Sequence, residues 1–333
     1  MISVRAYGPG LLVVAVVAGA ATVLGRALPF VGTPVIALLA GAAIAAKWAR
    51  AVEDSGPLGP GLGVARQRLL QVAVVLLGLG LPFDAVLNVG RRTALVLVGT
   101  LLIGAGAAFV VGRMLALDRE SATLVGVGTT ICGASAIAAA TAVIQPRRET
   151  AAYALGTIFV FNVLAVLVFP PIGRLLGLSD EAFGLWAGTA INDTSSVLAA
   201  GVVFGPAAAQ FALVVKLARS LMIVPMCLGL HWERRRHTPT AERLQARRIV
   251  PVFVLLFLAA SVIAGTGVIP PAASAPLAHV STGLIAAALT AIGTALTWQR
   301  VRRSGSRPLL FGGILGAALA IGSLALQTAT GWR

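Results

Sequence analysis

Eleven apolar runs follow one another along this chain, each long enough or nearly long enough to cross a lipid bilayer as a helix. They occupy residues 11–28, 34–49, 67–87, 93–112, 121–144, 150–170, 182–204, 207–230, 250–267, 277–297 and 308–327. A crossing helix needs about 20 mostly apolar residues, and what lies between the runs cannot cover a water-facing surface. Charged residues make up 11% of the chain and hydrophobic ones 58%, whereas a soluble domain carries roughly 25% charged residues. The expectation is an all-α membrane protein with about 11 transmembrane helices and the lipid bilayer as its solvent. The first run has the length of a signal peptide, but ten comparable runs follow it, so it reads as a retained helix.

The net charge of +15 does not point to nucleic acid. The basic residues stand in short loops between apolar runs and not on one amphipathic face interleaved with aromatics. If every run crosses, 18 Lys and Arg fall on the side of the N-terminus and 6 on the other, Arg147 and Arg148 among the 6, with Lys216 and Arg219 inside a run. Positive charge is retained on the cytoplasmic side, so the N-terminus is expected in the cytoplasm. Cys132 and Cys227 lie in apolar runs without a CxxC spacing and read as small buried hydrophobes.

Polar residues at membrane depth are costly and need a reason. The run at 182–204 carries Asn192, Asp193, Thr194, Ser195 and Ser196 in succession. Asp193 lies about 17 Å along the helix, near the bilayer centre, where a carboxylate costs about 3 kcal/mol. Such a residue is a candidate for substrate or ion coupling; the alternative is a structural ion pair or a protonated acid. Lys216 and Arg219 are its natural partners, being three residues apart and so on one helix face. Two cations against one carboxylate leave a formal surplus of one positive charge, which favours an anionic substrate. The run at 121–144 holds Thr129, Thr130, Cys132, Gly133 and Ser135. Glycine and hydroxyl residues there suit a broken helix that lines a cavity, whose freed amides suit an anion. The plainer reading is small residues that let helices pack closely. Asn162, a lone polar residue in its run, reads more readily as an interhelical hydrogen bond than as a ligand. His231, His237 and His279 lack metal-ligand spacing and there is no HExxH, so no metal, no cofactor and no catalytic role are expected.

The two polar runs resemble each other. Gly128-Thr129-Thr130-Ile131-Cys132-Gly133-Ala134-Ser135 matches Gly188-Thr189-Ala190-Ile191-Asn192-Asp193-Thr194-Ser195, and a weaker similarity pairs Leu77 through Gly90 with Ile292 through Gly305. Transporters often contain inverted repeats. If every run crosses, the second pair is antiparallel, as inversion requires, but the first is parallel, which inversion forbids. Either one Gly-Thr segment is re-entrant or that match reflects shared chemistry only. The expected division is an N-terminal helix at 1–30, a first repeat at 31–170 and a second at 171–333.

Together with Leu76-Leu77-Gly78-Leu79-Gly80-Leu81 and Val215-Lys216-Leu217-Ala218-Arg219, these motifs carry a resemblance to the YeiH-like family of bacterial membrane proteins over roughly residues 30–330. That family bears a sulfate-exporter label. The resemblance implies a fold similar to bile-acid/sodium symporters and cation/proton antiporters: two inverted repeats with broken crossing helices, a core domain and a panel domain. It further implies the bacterial inner membrane. The family usually places His before the Asp of the third motif, where this chain has Asn192. A histidine there carries a proton near neutral pH and asparagine does not, so either Asp193 carries the proton or coupling uses another ion, Na+ in place of H+.

The leading expectation is a secondary transporter that moves a small anion, sulfate or an organosulfonate, outward by alternating access. A homodimer is a further expectation. The rivals are a sodium- or proton-coupled importer of organic acids, a passive anion channel, and a membrane-embedded enzyme, for which no nucleophile–base pair is apparent.

Overall fold

A computed structural model describes residues 6–27, 33–53, 56–237, 252–268, 270–295 and 306–332. Among them the regular structure is entirely helical, as expected for an all-α membrane protein. Among the described residues six helical stretches are long and apolar enough to cross a membrane, and shorter apolar helices accompany them at 36–47, 134–144, 194–204, 252–265 and 279–293. Arg243, Arg247 and Arg248, and most of the repeat half expected at 292–305, lie outside the described residues.

The chain divides into two compact units. The first comprises the described residues within 1–87 and 252–298. It holds α1 (Gly8–Ala27), α2 (Thr33–Lys47), the short α3 (Ala49–Val52), α4 (Gly59–Val64) running through a π-turn into α5 (Leu70–Gly78), α14 (Val252–Gly265) and α15 (Pro271–Gly293). Lipid tails are as apolar as leucine, so helices in a bilayer associate through close packing and buried hydrogen bonds, not through exclusion of water. Glycine supplies the close packing here. A Cβ placed on Gly41 of α2 would stand 3.0 Å from the Cα of Gly293 on α15, and one on Gly78 would stand 2.8 Å from the Phe257 carbonyl of α14. Ser281 Oγ donates to the Ala73 carbonyl at 3.1 Å and Ser261 Oγ to that of Leu81.

The second unit comprises the described residues within 88–251 and 299–333. Its elements are α6 (Phe83–Met114) from Asn88 onward, α7 (Arg119–Val127), a π-turn at Gly128–Cys132, α8 (Ala134–Ile144), α9 (Arg148–Leu175), α10 (Asp180–Ala190), α11 (Thr194–Phe204), α12 (Pro206–Ser220), α13 (Ile223–His237) and α16 (Ser306–Ala329).

Both broken segments are present, but each turns back on itself where a crossing helix was expected. At the first, Gly133 takes φ +67° and reverses the chain. The ends of that segment then lie together. Glu120 accepts a hydrogen bond from the Arg147 amide at 3.2 Å, and Leu124 and Val125 pack with Ile137 and Ala140. The second reverses through Ile191 and Asp193, both in extended backbone. Phe183 stacks on Phe204 at 3.9 Å, and a Cβ on Gly205 would stand 3.0 Å from Asp180 Oδ1. These are two helical hairpins, α7–α8 and α10–α11.

The hairpins enter from opposite ends of the unit, because α9, 28 residues and about 42 Å long, joins the foot of one to the foot of the other. Arg234, late in α13, donates to Gln145 Oε1 at 2.8 Å at the foot of the first. Arg92, early in α6, lies 3.4 Å from Glu181 at the foot of the second. Two hairpins of opposite entry run antiparallel to each other, where two crossings would have been parallel. They also move Arg147 and Arg148 to the end occupied by Arg113, Arg119 and Arg234, and Arg174 to the end of Arg91 and Arg92, which corrects the alternate-side assignment made from the sequence.

Candidate substrate site at the facing hairpin tips

The two tips meet. A Cβ on Gly133 would lie 3.0 Å from the Cβ of Asp193. Behind them runs α12, held close to α10 because Gly184 and Gly188 present bare backbone to it; a Cβ on Gly188 would come within 2.7 Å of Val215.

Each tip exposes two kinds of unpaired backbone group: the last carbonyls of the incoming helix and the first amides of the returning one. The carbonyl side is buried and carries the two cations. Lys216 Nζ donates to the carbonyl of Ile131 at 3.1 Å and to that of Ile191 at 2.6 Å, one from each hairpin. Arg219 donates to the Thr189 carbonyl and, at 3.5 Å, to that of Thr129, again one from each. The π-turn frees the first pair, since the Gly133 amide reaches back to the Gly128 carbonyl at 2.8 Å and leaves Thr129 and Ile131 carbonyls turned aside. The end of α10 at Ala190 frees the second pair. Lys216 is 0% and Arg219 1% exposed. Positive charge suits these sites, because the C-terminal end of a helix carries partial negative charge.

Asp193 is not paired with either cation; among the described residues the ion pairs are Arg92–Glu181 and Arg119–Glu233. The sequence reading paired them because it saw three charges at one depth and could not see four freed carbonyls. Asp193 instead caps α11. Its Oδ1 accepts from the Ser196 amide at 2.6 Å and its Oδ2 from the Ser195 hydroxyl at 2.9 Å. The amide end of α8 has no such side-chain cap. Ala134 and Ser135 there are exposed, and Asp193, Thr194 and Ser195 are part-exposed.

The other expected site residues divide by burial. Thr129 Oγ1 is taken up by the Val125 carbonyl at 2.8 Å. Thr130 is buried against Gly104, and its hydroxyl has no partner among the described residues. Cys132 packs in an apolar cluster with Ile223 and Cys227. Asn192 and Ser196 are buried. Asn162 is buried too, and its Oδ1 finds no partner among the described residues. Two residues belong to the site that sequence reasoning passed over. Thr189 gives its carbonyl to Arg219, and its hydroxyl lies 2.5 Å from that of Ser323 on α16. Nothing local marks Ser323, because its partner stands 134 residues away.

Fold and tips together define a helical membrane protein whose core unit brings two hairpins of opposite entry onto one buried lysine and arginine. Residues 9–312 match the family described as conserved hypothetical protein 698. The chain is 33% identical to a UPF0324 membrane protein of Clostridium tetani over 99% of each chain. It is 38% identical to one of Streptococcus pyogenes serotype M6 and 37% identical to one of Streptococcus pneumoniae strain R6, each over 97% of both chains. The chain therefore belongs to the UPF0324, YeiH-like family of membrane proteins.

Proposed function

We propose that this protein is a secondary transporter of a small anion and that the anion binds at the amide side of the facing tips. One observation carries this reading. The carbonyl ends of both hairpins are occupied by Lys216 and Arg219, while the amide end of α8 is uncapped and accessible beside Asp193. Helix N-termini are ready sites for an anion. Amides of Ala134 and Ser135, with the hydroxyls of Ser135 and Thr194, would bind it. Lys216 and Arg219 would act from behind by holding the tips in place, not by touching the substrate.

Asp193 then becomes the coupling residue. Its carboxylate stands beside the same site, and two negative charges side by side disfavour each other. A proton or Na+ on Asp193 removes the conflict, so anion and cation bind together and neither moves alone. Asn192 offers no titratable alternative. Sulfate or an organosulfonate, carried outward, is the substrate proposed; coupled import of an organic acid uses the same tip with the direction reversed. The basic residues at the end of Arg113, Arg119, Arg147 and Arg234 support a cytoplasmic placement of that end in a bacterial inner membrane, with the N-terminus also inside. We further propose a homodimer.

The test is labelled-sulfate flux into proteoliposomes, with and without a pH or Na+ gradient, for wild type and Asp193→Asn. Saturable flux that responds to the gradient in wild type and loses that response in Asp193→Asn is the expected result. Non-saturable flux would make the protein a channel. Absence of flux from folded protein removes sulfate, and organic acids are then assayed in the same vesicles.

A further inference from the structure

At the foot of the first hairpin, where α7 and α8 meet α13, lies a pocket of about 240 Å³. Arg119 and Glu120 line it from the start of α7, and Glu233 and Arg234 from α13, over an apolar floor of Ile144 and Leu230. Arg119 pairs with Glu233 through Nη2. Arg234 gives two of its nitrogens to the end of α8, at the Val143 carbonyl and Gln145 Oε1. Glu120 accepts from the Arg147 amide on Oε2. Among the described residues this leaves Nε and Nη1 of Arg119, Nε of Arg234 and Oε1 of Glu120 without a partner. The Arg119 side chain is 70% exposed, and the open atoms of Glu120 and Arg234 are accessible as well.

Two guanidinium groups and two carboxylates make the lining formally neutral. A bare anion would meet both carboxylates and a bare cation both guanidinium groups, and like charges side by side disfavour each other. A ligand carrying both signs a short distance apart meets each with its opposite. The depth of the pocket points to the source of that ligand. Arg234 is the last residue of an apolar stretch long enough to cross a membrane, and Glu149, just past the hairpin, is the first of another. Trp232 is 62% exposed, with Arg236 stacked 3.5 Å over its ring; tryptophan and arginine so placed mark the headgroup level of a bilayer. One turn deeper on α13, Leu228 is exposed too, so acyl chains find an apolar face beside the pocket.

We propose that this pocket binds the phosphoethanolamine headgroup of a bilayer lipid, with its phosphate on Arg119 and Arg234 and its ammonium on Glu120. The ammonium matters because it donates N–H hydrogen bonds to a carboxylate, whereas the trimethylated nitrogen of choline has none to give. The bound lipid ties the foot of the first hairpin to α13. The inference is independent of the identity of the transported anion.

In the test, the full chain in detergent is titrated with radiolabelled dihexanoyl-phosphatidylethanolamine. Saturable binding is expected, with the matching phosphatidylcholine and phosphatidylglycerol competing more weakly by roughly threefold to tenfold, the worth of one ordinary hydrogen bond. Glu120→Gln keeps an oxygen for the Arg147 amide and turns an NH2 group to the pocket, so it should erase the preference over phosphatidylcholine. Arg119→Gln should weaken phosphatidylethanolamine and phosphatidylcholine alike through the phosphate. Glu181→Gln, at the foot of the other hairpin, should change neither. Each variant is checked for a wild-type thermal transition, and the two pocket variants fail or pass separately, so a folding defect in one leaves the other to decide. A preference that survives Glu120→Gln, or phosphatidylglycerol bound as tightly as phosphatidylethanolamine, would overturn the proposal. Chain-free glycerophosphoethanolamine competing as well as the lipid would overturn the bilayer as the source.

Discussion

The two hairpins are built from matching sequence and closed by different chemistry. The first turns on Gly133, whose positive φ lets the backbone reverse without help from any side chain. The second turns through extended backbone and is closed by Asp193, which caps the helix it starts. One tip thus keeps its amides free and the other covers part of its own with a carboxylate. A repeat that preserved both residues would give two equivalent anion sites or two equivalent carboxylates. The divergence at this matched position, Gly133 against Asp193, leaves one helix start without a side-chain cap and gives the other a carboxylate cap.

The broadest way to break the comparison is to ask whether both elements are hairpins at all. In protein lacking Cys132 and Cys227, single cysteines at Arg119 and Arg147 should react with an impermeant maleimide from one side of the membrane. Cysteines at Glu181 and Ala207 should react only from the other. Reaction of Arg119→Cys and Arg147→Cys from opposite sides would restore a crossing segment and remove the facing tips.

Next in size is the shared anchor. Lys216→Met leaves the Ile131 and Ile191 carbonyls buried and unpaired, at about 1–3 kcal/mol each. The variant should lose about 2–6 kcal/mol of stability, seen as earlier unfolding on heating in detergent. A variant as stable as wild type would mean that the tips do not depend on this cation.

The tips themselves separate at a smaller scale. Gly133→Ala forces a side chain into positive φ and against Asp193, at a cost of order 1–3 kcal/mol. Gly106→Ala on α6, where a Cβ meets nothing, should be neutral. Asp193→Ala should cost about 1 kcal/mol through the lost cap, and Asp193→Asn almost none, because asparagine caps as well. If Asn and Ala are equally destabilising, the charge and not the cap holds the second tip.

The smallest effect lies at the foot of the first hairpin. Burial alone would raise the pKa of Asp118, but its hydrogen bonds, chiefly from Ser121, and the nearby Arg147 charge together outweigh this, and the net direction is downward. A depressed carboxyl stabilises the fold above its unfolded pKa and loses that contribution as pH falls through the folded value. The stability gap between wild type and Asp118→Ala at neutral pH should therefore narrow below the ordinary carboxylate range. A constant gap would place the effect in packing alone.

The solvent of this protein and the places where its helices break are written in the residue string. Apolar runs with so little charge have no soluble solution, and a polar stretch such as Asn192 to Ser196 inside one of them marks a break in the helix. Composition and spacing carry that much because the cost of a polar group in hydrocarbon depends on the residue and its depth, both visible in a string. The direction of the chain after each break, and the partners of the charges, come from packing between segments far apart in the string. Whether Gly133 starts a crossing or a return depends on what packs beside α7, and the acceptors of Lys216 and Arg219 are main-chain carbonyls from both hairpins, as distant as 90 residues. Every residue carries the same carbonyl, so no residue type announces which ones a fold will leave free.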